Sequence, residues 1–301
     1  MAENAQTKDS EKPRMPLATR VYKGINMFDN EIEKIEKMDI QDDDVWICTY
    51  PRSGTTMTCE LVYLIQTLDF ATAKSVQLEL RVPVLETKDD RFPYYKGLQH
   101  LKGLPFPRMI KSHLPSFLLP EQLQNGKGKI IYMYRNPKDV VTSYFRLLQW
   151  WDQIGEDPNS FNEFVDNFVN GKVLFNSWSK HVLGYWDKRR DRNVLLLTYE
   201  EVVRDMPSAI RKIAEFLGRS LTNEDVTKIA DHCHVDNMRN NGMVNLAYWR
   251  DIRHVNDGAE GRFINKGVAG AWHDVLTPEQ SQKIDRLIQE LDGSGLNIEQ
   301  T

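Results

Sequence analysis

The chain has 301 residues, of which 41% are hydrophobic and 27% are charged, and its net charge is −4. This length and apolar content suffice for a large buried core, and the charge gives no support for wholesale nucleic-acid binding. No apolar run approaches the roughly 18 residues that span a bilayer. Because no internal repeat or central low-complexity linker interrupts it, we expect one domain over residues 16–301, after a disordered tail at 1–15.

The cysteine pattern indicates a reducing compartment. Cys48, Cys59 and Cys233 form an odd, sparse set without metal-ligand spacing, which argues for reduced thiols and against a metal site. The polar N-terminus carries acidic residues and differs from a secretory or transit peptide. We therefore expect a cytoplasmic protein with no membrane partner.

The first informative segment follows a short amphipathic helix that the apolar spacing predicts over residues 30–38. VWICTYPRSGTTMTCELVYL at 45–64 predicts a buried strand, a tight loop and a helix. Gly54 can take a positive φ, and the unpartnered N–H groups of the first helical turn bind phosphate or sulfate. The loop adds one cation and three hydroxyl donors, from Arg52, Ser53, Thr55 and Thr56. The alternative is a polar turn that binds nothing, and the absence of GxxxxGK[ST] makes an ordinary nucleoside triphosphatase unexpected.

A lysine and a histidine end the next predicted strand. The segment RMIKSHLP at 108–115 predicts a short strand with Lys111 and His113 at its end. It follows a Pro- and Gly-containing stretch up to residue 107, which is either a pocket wall or a purely structural loop. Ligands of open parallel sheets lie outside the carboxyl ends of the strands, so this pair suits an anion and a proton transfer. A hydrogen-bonded structural role is the alternative for His113.

The third segment repeats the pattern of a cation at a strand–helix junction. KIIYMYRNPKDVVTSYFRLLQWW at 129–151 predicts a strand ending at Arg135, with Asn136 as N-cap and Pro137 in the first helical position. Ser143 lies two turns further on and can face the same anion. The alternative is that Arg135 forms a structural ion pair and that Ser143 contacts no ligand.

The rest of the chain predicts further elements of an α/β fold. These are helices over 160–170, 175–189, 206–217 and 222–231, a strand over 193–199, a loop over 233–270, and a final helix after Thr277. The loop contains FINKGVAG at 263–270, and a glycine-rich loop with a lysine can fold over a phosphate. Five aromatic residues either line an apolar pocket or pack in the core: Phe145, Trp150, Trp151, Tyr248 and Trp249.

Five motifs, in the correct order, give the chain a resemblance to the cytosolic sulfotransferases, which use 3′-phosphoadenosine 5′-phosphosulfate (PAPS). They are TYPRSGTT at 49–56, KSHLP at 111–115, YRNPKDVVTSYF at 134–145, TYEE at 198–201 and FINKGVAGAW at 263–272. The resemblance covers nearly the whole chain. It implies a single α/β domain with a mainly parallel central sheet flanked by helices and a P-loop-like strand–loop–helix. It also implies sulfuryl transfer from PAPS, without a metal, to a hydroxyl or amine of a small lipophilic acceptor such as a phenol or steroid.

The resemblance also implies a role for each matching residue. His113 would be the general base, and Lys111 and Arg52 would stabilise the bridging oxygen and the leaving phosphate. Tyr199 would contact the adenosine end, and the segment from Cys233 would help to enclose the base. The implied nucleotide contacts are Arg52, Ser53, Gly54, Thr55, Thr56, Met57, Arg135, Ser143, Tyr199, Cys233, Val235, Met238, Phe263, Asn265, Lys266 and Gly267.

Four positions depart from the family pattern, and all of them concern the nucleotide. Arg52 replaces a lysine, Met57 and Val235 replace a tryptophan and a phenylalanine that stack on adenine, and Asn265 replaces an arginine. Losing both rings weakens nucleotide binding by on the order of 1 kcal/mol or more each. A weak or inactive PAPS-site relative that binds small molecules therefore stays open, although the intact transfer residues favour an enzyme.

A small-molecule kinase is a further alternative. It would need a Walker lysine and an acidic metal ligand; the lysine is absent, and the acidic ligand has no clear candidate.

The family's C-terminal dimer motif maps to His273, Thr277, Pro278 and Gln282, of which only Thr277 is retained. The usual family homodimer is therefore not expected, and a monomer stays open.

Overall fold

The computed structural model describes residues 16–92, 94–151, 160–251 and 262–300. The predicted disordered tail at 1–15 lies outside the described residues. Within those ranges, no helix is long and apolar enough to cross a bilayer. The same residues contain no group of three or more His, Cys, Asp or Glu side chains that could hold a metal ion.

A four-stranded parallel sheet forms the centre of the fold, after an N-terminal antiparallel hairpin. The hairpin strands are β1 (Thr19–Tyr22) and β2 (Ile25–Phe28), and the sheet strands are β3 (Val45–Thr49), β4 (Met109–Ser112), β5 (Lys129–Tyr134) and β6 (Val194–Thr198). The strand order is β4-β3-β5-β6, and all three pairings are parallel. Near-continuous apolar runs are typical of parallel strands covered on both faces, and all five residues of β3 are buried.

Helices cover both faces of the sheet. They are α1 (Ile32–Ile35), α2 (Thr55–Thr67), α3 (Phe70–Ala73), α4 (Leu78–Arg81), α5 (Glu121–Gln124), α6 (Pro137–Trp150), α7 (Phe161–Val169), α8 (Trp178–Trp186), α9 (Tyr199–Arg204), α10 (Met206–Leu217), α11 (Asn223–His232), α12 (Val235–Asn240), α13 (Tyr248–Asp251) and α14 (Pro278–Gln289). Alternate side chains of a strand point to opposite faces. Trp46 and Tyr132 accordingly belong to one apolar cluster, with residues of α6–α8 and α14. Ile47 and Ile131 belong to the other, with residues of α2, α10 and α11. The predicted α/β fold with a mainly parallel central sheet is confirmed.

Some predicted boundaries were wrong. The helix predicted over 30–38 is a single turn, α1, and that over 175–189 is confined to α8. The strand predicted over 193–199 ends at Thr198, because the Thr198 hydroxyl accepts a hydrogen bond from the Glu201 N–H at 3.0 Å and caps α9. The predicted loop over 233–270 contains α12 and α13, and α12 anchors itself through the buried Met238.

Candidate active site

One cavity of about 310 Å³ lies at the carboxyl ends of the sheet strands. Strand pairing explains why, since Cys48 is opposite Ser112 and Tyr134 is opposite Thr198; the residues that follow these strands therefore meet at one edge. The cavity brings together Arg52, Gly54, Thr55, Thr56, Met57, Lys111, His113, Arg135, Ser143, Tyr199, Cys233, Val235, Met238, Phe263, Asn265, Lys266 and Gly267. Segments that are up to about 200 residues apart in the chain thus form one groove, as the motifs predict.

Ser53 is the predicted site residue that does not line this cavity. Its side chain is fully buried, and its N–H donates within the loop to the Tyr50 carbonyl at 3.2 Å. The phosphate contact of Ser53 stays a prediction, and in the structure its N–H is bonded within the loop's own turn.

Gly54 is required where the phosphate loop enters α2. It takes a φ of 95° as the N-cap, and a Cβ there would lie 2.7 Å from Cδ2 of Tyr199 and 2.9 Å from Sδ of Met133. Both the left-handed conformation and the lack of space therefore exclude a side chain. No side chain caps α2, so the first N–H groups of this 13-residue helix remain available to an anion at the positive end of its dipole.

A half-buried arginine lies beside this helix terminus. Arg52 donates from Nε to the Ser143 hydroxyl at 3.0 Å and from Nη2 to the Phe263 carbonyl at 3.2 Å. Burial, and secondarily the charge of Arg135, lower the pKa of Arg52 to about 10. Neither of these hydrogen-bond partners is a carboxylate. A half-buried cation that has no carboxylate partner among the described residues matches an anionic ligand.

Arg135 connects three of the predicted segments. Its Nη1 donates to the Arg52 carbonyl at 3.3 Å and its Nη2 to the Val268 carbonyl at 3.2 Å. The guanidinium lies over the Tyr199 ring, 4.1 Å from its centroid. Strand β5, the phosphate loop and the glycine-rich loop are thereby held around one positive charge.

Asp139 and Arg239, which the sequence did not predict as site residues, anchor the glycine-rich loop. The buried Asp139 carboxylate accepts hydrogen bonds from the N–H groups of Gly270 at 2.8 Å and Trp272 at 3.0 Å. Arg239 donates from Nε to the Asn265 carbonyl at 2.9 Å. The available signal for Asp139 was its position one helical turn after Arg135, at the i+4 spacing of ion pairs; the two groups are 3.6 Å apart. The neighbouring Lys266 is exposed and pairs with Asp274 at 2.9 Å.

The geometry of His113 makes its ring a neutral hydrogen-bond acceptor. Its Nδ1 lies 2.9 Å from the Thr49 carbonyl oxygen. Because a carbonyl only accepts, Nδ1 carries the proton and Nε2 keeps a lone pair. Burial lowers the pKa of His113 to about 3, so the imidazole is uncharged at neutral pH.

Hydrogen bonds also fix the backbone on both sides of this ring. The His113 N–H donates to the Glu86 carboxylate, and the His113 carbonyl accepts from Nε2 of His181 at 3.0 Å. Glu86 is fully buried, and this burial raises its pKa to about 7. The Thr49 hydroxyl lies 2.6 Å from that of Thr55, so the strand that orients His113 also contacts the phosphate loop.

The two ends of the cavity differ in composition. The end near Met57 has aliphatic and sulfur-containing side chains, from Met57, Val203, Met206, Val235, Met238 and Ile264. The end near His113 is bounded by apolar and aromatic side chains, from Phe28, Val84, Tyr95, Leu147, Trp151, Leu246 and Trp249. Of the aromatic residues predicted for a pocket, Trp151 and Trp249 line it. Phe145 packs on Phe161 with ring centroids 4.9 Å apart, and Trp150 and Tyr248 also pack outside the lining.

A wider surface hollow of about 720 Å³ lies at the amino-terminal ends of the sheet strands. Its lining includes Lys129 and Asn193, at the starts of β5 and β6. Ligands of parallel sheets bind at the other ends of the strands, and the hollow contains none of the predicted site residues. We therefore assign the chemistry to the smaller cavity.

Comparison with known proteins agrees with this assignment. The family model described as "Sulfotransferase domain" matches residues 42–295. The chain is 35% identical to sulfotransferase 1A1 of Canis lupus familiaris, covering 95% of this chain and 96% of that protein. It is 36% identical to an amine sulfotransferase of Oryctolagus cuniculus, with 89% of each covered.

A solved structure shows the same fold with nucleotide bound. Retinol dehydratase in complex with androsterone and the inactive cofactor PAP has a TM-score of 0.81 and 31% identity, covering 89% of this chain and 86% of that one. The predicted enzyme class and the predicted co-substrate, PAPS, are confirmed. The chain therefore belongs to the sulfotransferase family.

Proposed function

We propose that the protein transfers the sulfuryl group of PAPS to a hydroxyl or amine of a small lipophilic acceptor, with His113 as general base. The observation that carries this proposal is the joint placement, in one cavity, of a neutral imidazole, a half-buried arginine and an uncapped helix terminus. Sulfuryl transfer needs in-line positioning and charge stabilisation rather than a covalent protein intermediate.

The cations of the cavity support nucleotide binding. Arg52 and the first turn of α2 would hold the 5′-phosphosulfate, while Arg135, Ser143 and the glycine-rich loop would hold the 3′-phosphate. Lys111 lines the cavity together with His113 and would stabilise charge on the bridging oxygen. The half-buried guanidinium of Arg52 fits such an anion, because its hydrogen bonds to a hydroxyl and a carbonyl do not neutralise its charge.

His113 would accept the acceptor's proton at Nε2 as the acceptor oxygen or nitrogen attacks sulfur. The Thr49 carbonyl would hold Nδ1–H and so keep the correct tautomer. Glu86, whose carboxylate accepts from the His113 N–H, would favour the positive charge that develops on the ring.

Transfer of labelled sulfonate from PAPS to a panel of phenols, steroids, alcohols and amines tests the proposal. We expect label in at least one lipophilic acceptor, and transfer that is about 10²–10⁴-fold slower when His113→Ala replaces the wild type. The absence of transfer to every acceptor, by a protein that binds the nucleotide, would instead support a small-molecule binding protein. The observation that favours this second function is the base end of the cavity, where Met57 and Val235 supply no ring.

Location and assembly belong to the same proposal. We place the protein in the cytoplasm because Cys48, Cys59 and Cys233 are all unpaired and buried, as expected of a reducing compartment. We do not expect the usual family homodimer, because only Thr277 of the family's dimer motif is retained; in the structure Thr277 caps α14, accepting a hydrogen bond from the Gln280 N–H.

A further inference from the structure

A carboxylate lies at the end of the cavity near His113, which would hold the acceptor and whose other lining is mostly apolar. Glu79 on α4 lines the same cavity as His113 and Lys111 and is 6% exposed. Its Oε2 accepts a hydrogen bond from the Tyr248 hydroxyl at 3.1 Å. Among the residues that the structure describes, no hydrogen bond or ion pair engages its Oε1.

The nearest arginine along the chain is committed to another carboxylate. Arg81, two residues after Glu79, donates to Glu60 at 2.8 Å and to the Val76 carbonyl at 2.9 Å, and its guanidinium lies over the Tyr63 ring. Glu60 is fully buried, so this pair forms a separate internal unit. Arg81 therefore does not neutralise Glu79 through an ion pair.

Tyr248, which contacts the carboxylate, belongs to an aromatic cluster. The Tyr94 ring lies 4.8 Å from that of Tyr95, 5.9 Å from that of Tyr248 and 6.2 Å from that of Trp249. Tyr95 and Trp249 line the cavity with Glu79. Carboxylates and ring faces both attract cations, and a buried carboxylate with one neutral partner favours a further donor.

We propose that Glu79 is an acceptor-specificity residue, which selects acceptors carrying a protonated amine away from the sulfated group. This inference rests on the proposed function, which makes a sulfuryl acceptor the second ligand of the cavity beside PAPS. It narrows the acceptor class from lipophilic alcohols in general to amphipathic ones with a cationic end. It assigns no step of the transfer to Glu79, so the effect appears in acceptor choice.

Matched phenols test this inference. Tyramine, para-ethylphenol and para-hydroxyphenylpropionate share the phenol and end in a cation, a methyl group and an anion. Their affinities for the protein in the presence of PAP can be measured by quenching of tryptophan fluorescence, and their kcat/KM values with PAPS. We expect the wild type to prefer tyramine over para-ethylphenol by about 10- to 100-fold, as for hydrogen bonds to charged groups, and to reject the anion.

Two variants separate the charge from the shape of the side chain. Glu79→Gln keeps the size, and we expect it to reduce the tyramine preference to about twofold or less, whereas Glu79→Asp keeps the charge and should retain the preference. A wild type without preference, or a preference that survives in Glu79→Gln, overturns the inference. If tyramine binds selectively but no phenol is sulfated, the inference stands and the proposed transferase function fails. If para-ethylphenol is sulfated as well as tyramine, only the inference fails.

Discussion

The two ends of the cavity are built in different ways. At the end near His113, which we call the transfer end after its proposed role, the backbone fixes polar groups: the Thr49 carbonyl holds the His113 ring, and the Arg52 carbonyl accepts from Arg135. At the end near Met57, which we call the base end because we propose that adenine binds there, apolar side chains such as Met57 and Val235 supply the lining. A Cβ added at Gly267 would lie 2.3 Å from a Val235 methyl group, so this end is held by packing.

The difference shows which part of the site tolerates sequence change. A hydrogen-bonded charge that loses its partner is left buried and uncompensated, which is strongly destabilising. An apolar wall can exchange one side chain for another of similar volume at smaller cost. The transfer end therefore matches the family pattern except at Arg52, whereas the base end has exchanged both stacking rings. The predictions below test this contrast.

Removal of the imidazole should have the largest effect. We expect His113→Ala to reduce kcat by about 10²–10⁴, the usual contribution of a general base. The affinity for PAP should stay within about twofold, because no cation or helix terminus is altered. Initial rates with labelled PAPS and calorimetry with PAP measure the two quantities. Turnover that survives the substitution would remove His113 from the role of base.

Removal of the Arg52 guanidinium should have the next largest effect. We expect Arg52→Met to reduce kcat by about 10²–10³, as for the loss of one charge-stabilising donor, and to weaken PAPS binding as well. Arg52→Lys is the matched control, because it keeps a positive charge without the planar, forked guanidinium that contacts Ser143 and Phe263. The lysine variant should retain most of the activity. Equal losses in both variants would show that the fork, rather than the charge, is essential.

Glu86 should control the pH dependence. Its pKa of about 7 means that it is neutral below this pH and ionised above it, and we expect the ionised form to stabilise positive charge that develops on His113. Because the pKa of His113 is about 3, that ring stays neutral from about pH 5.5 to 8.5 and adds no acidic limb there. The turnover rate should therefore rise with pH through about 7 in the wild type. In Glu86→Gln the profile should be flat at a rate about tenfold lower, the effect of roughly one charged hydrogen bond. The same inflection in both proteins would exclude Glu86 as its source.

Restoring the rings at the base end should have the smallest effect. Met57→Trp and Val235→Phe should each tighten PAP binding by about fivefold, which corresponds to about 1 kcal/mol for an aromatic contact. The kcat values should change little, because the transfer end is untouched. Calorimetry measures the affinities, and Met57→Leu serves as a control without a ring. Unchanged or weaker binding in both ring variants would mean that the apolar lining already serves the base.

Most of the fold and much of the site could be predicted because they depend on local sequence. Buried strands give continuous apolar runs, and Gly54 and Arg135 stand at strand ends whose parallel pairing brings them together. The one-turn helices α3, α4 and α5 are too short for a periodic signal. Asp139 and Glu86 could not be assigned from sequence, since their partners, the N–H groups of Gly270 and His113, lie 131 and 27 residues away along the chain.

Calorimetric titration of the full-length wild-type protein with PAP tests the central claim most directly. The claim is that one cavity binds the nucleotide through Arg52, Arg135 and the start of α2. We predict a single site that Arg135→Ala weakens by at least tenfold, the loss expected for a charge-assisted hydrogen bond of about 1.5 kcal/mol or more. Adenosine 5′-monophosphate, which lacks the 3′-phosphate, should bind the wild type more weakly than PAP, and Arg135→Ala should reduce that difference. No heat of binding at millimolar PAP, or an affinity that Arg135→Ala leaves unchanged, would contradict the account.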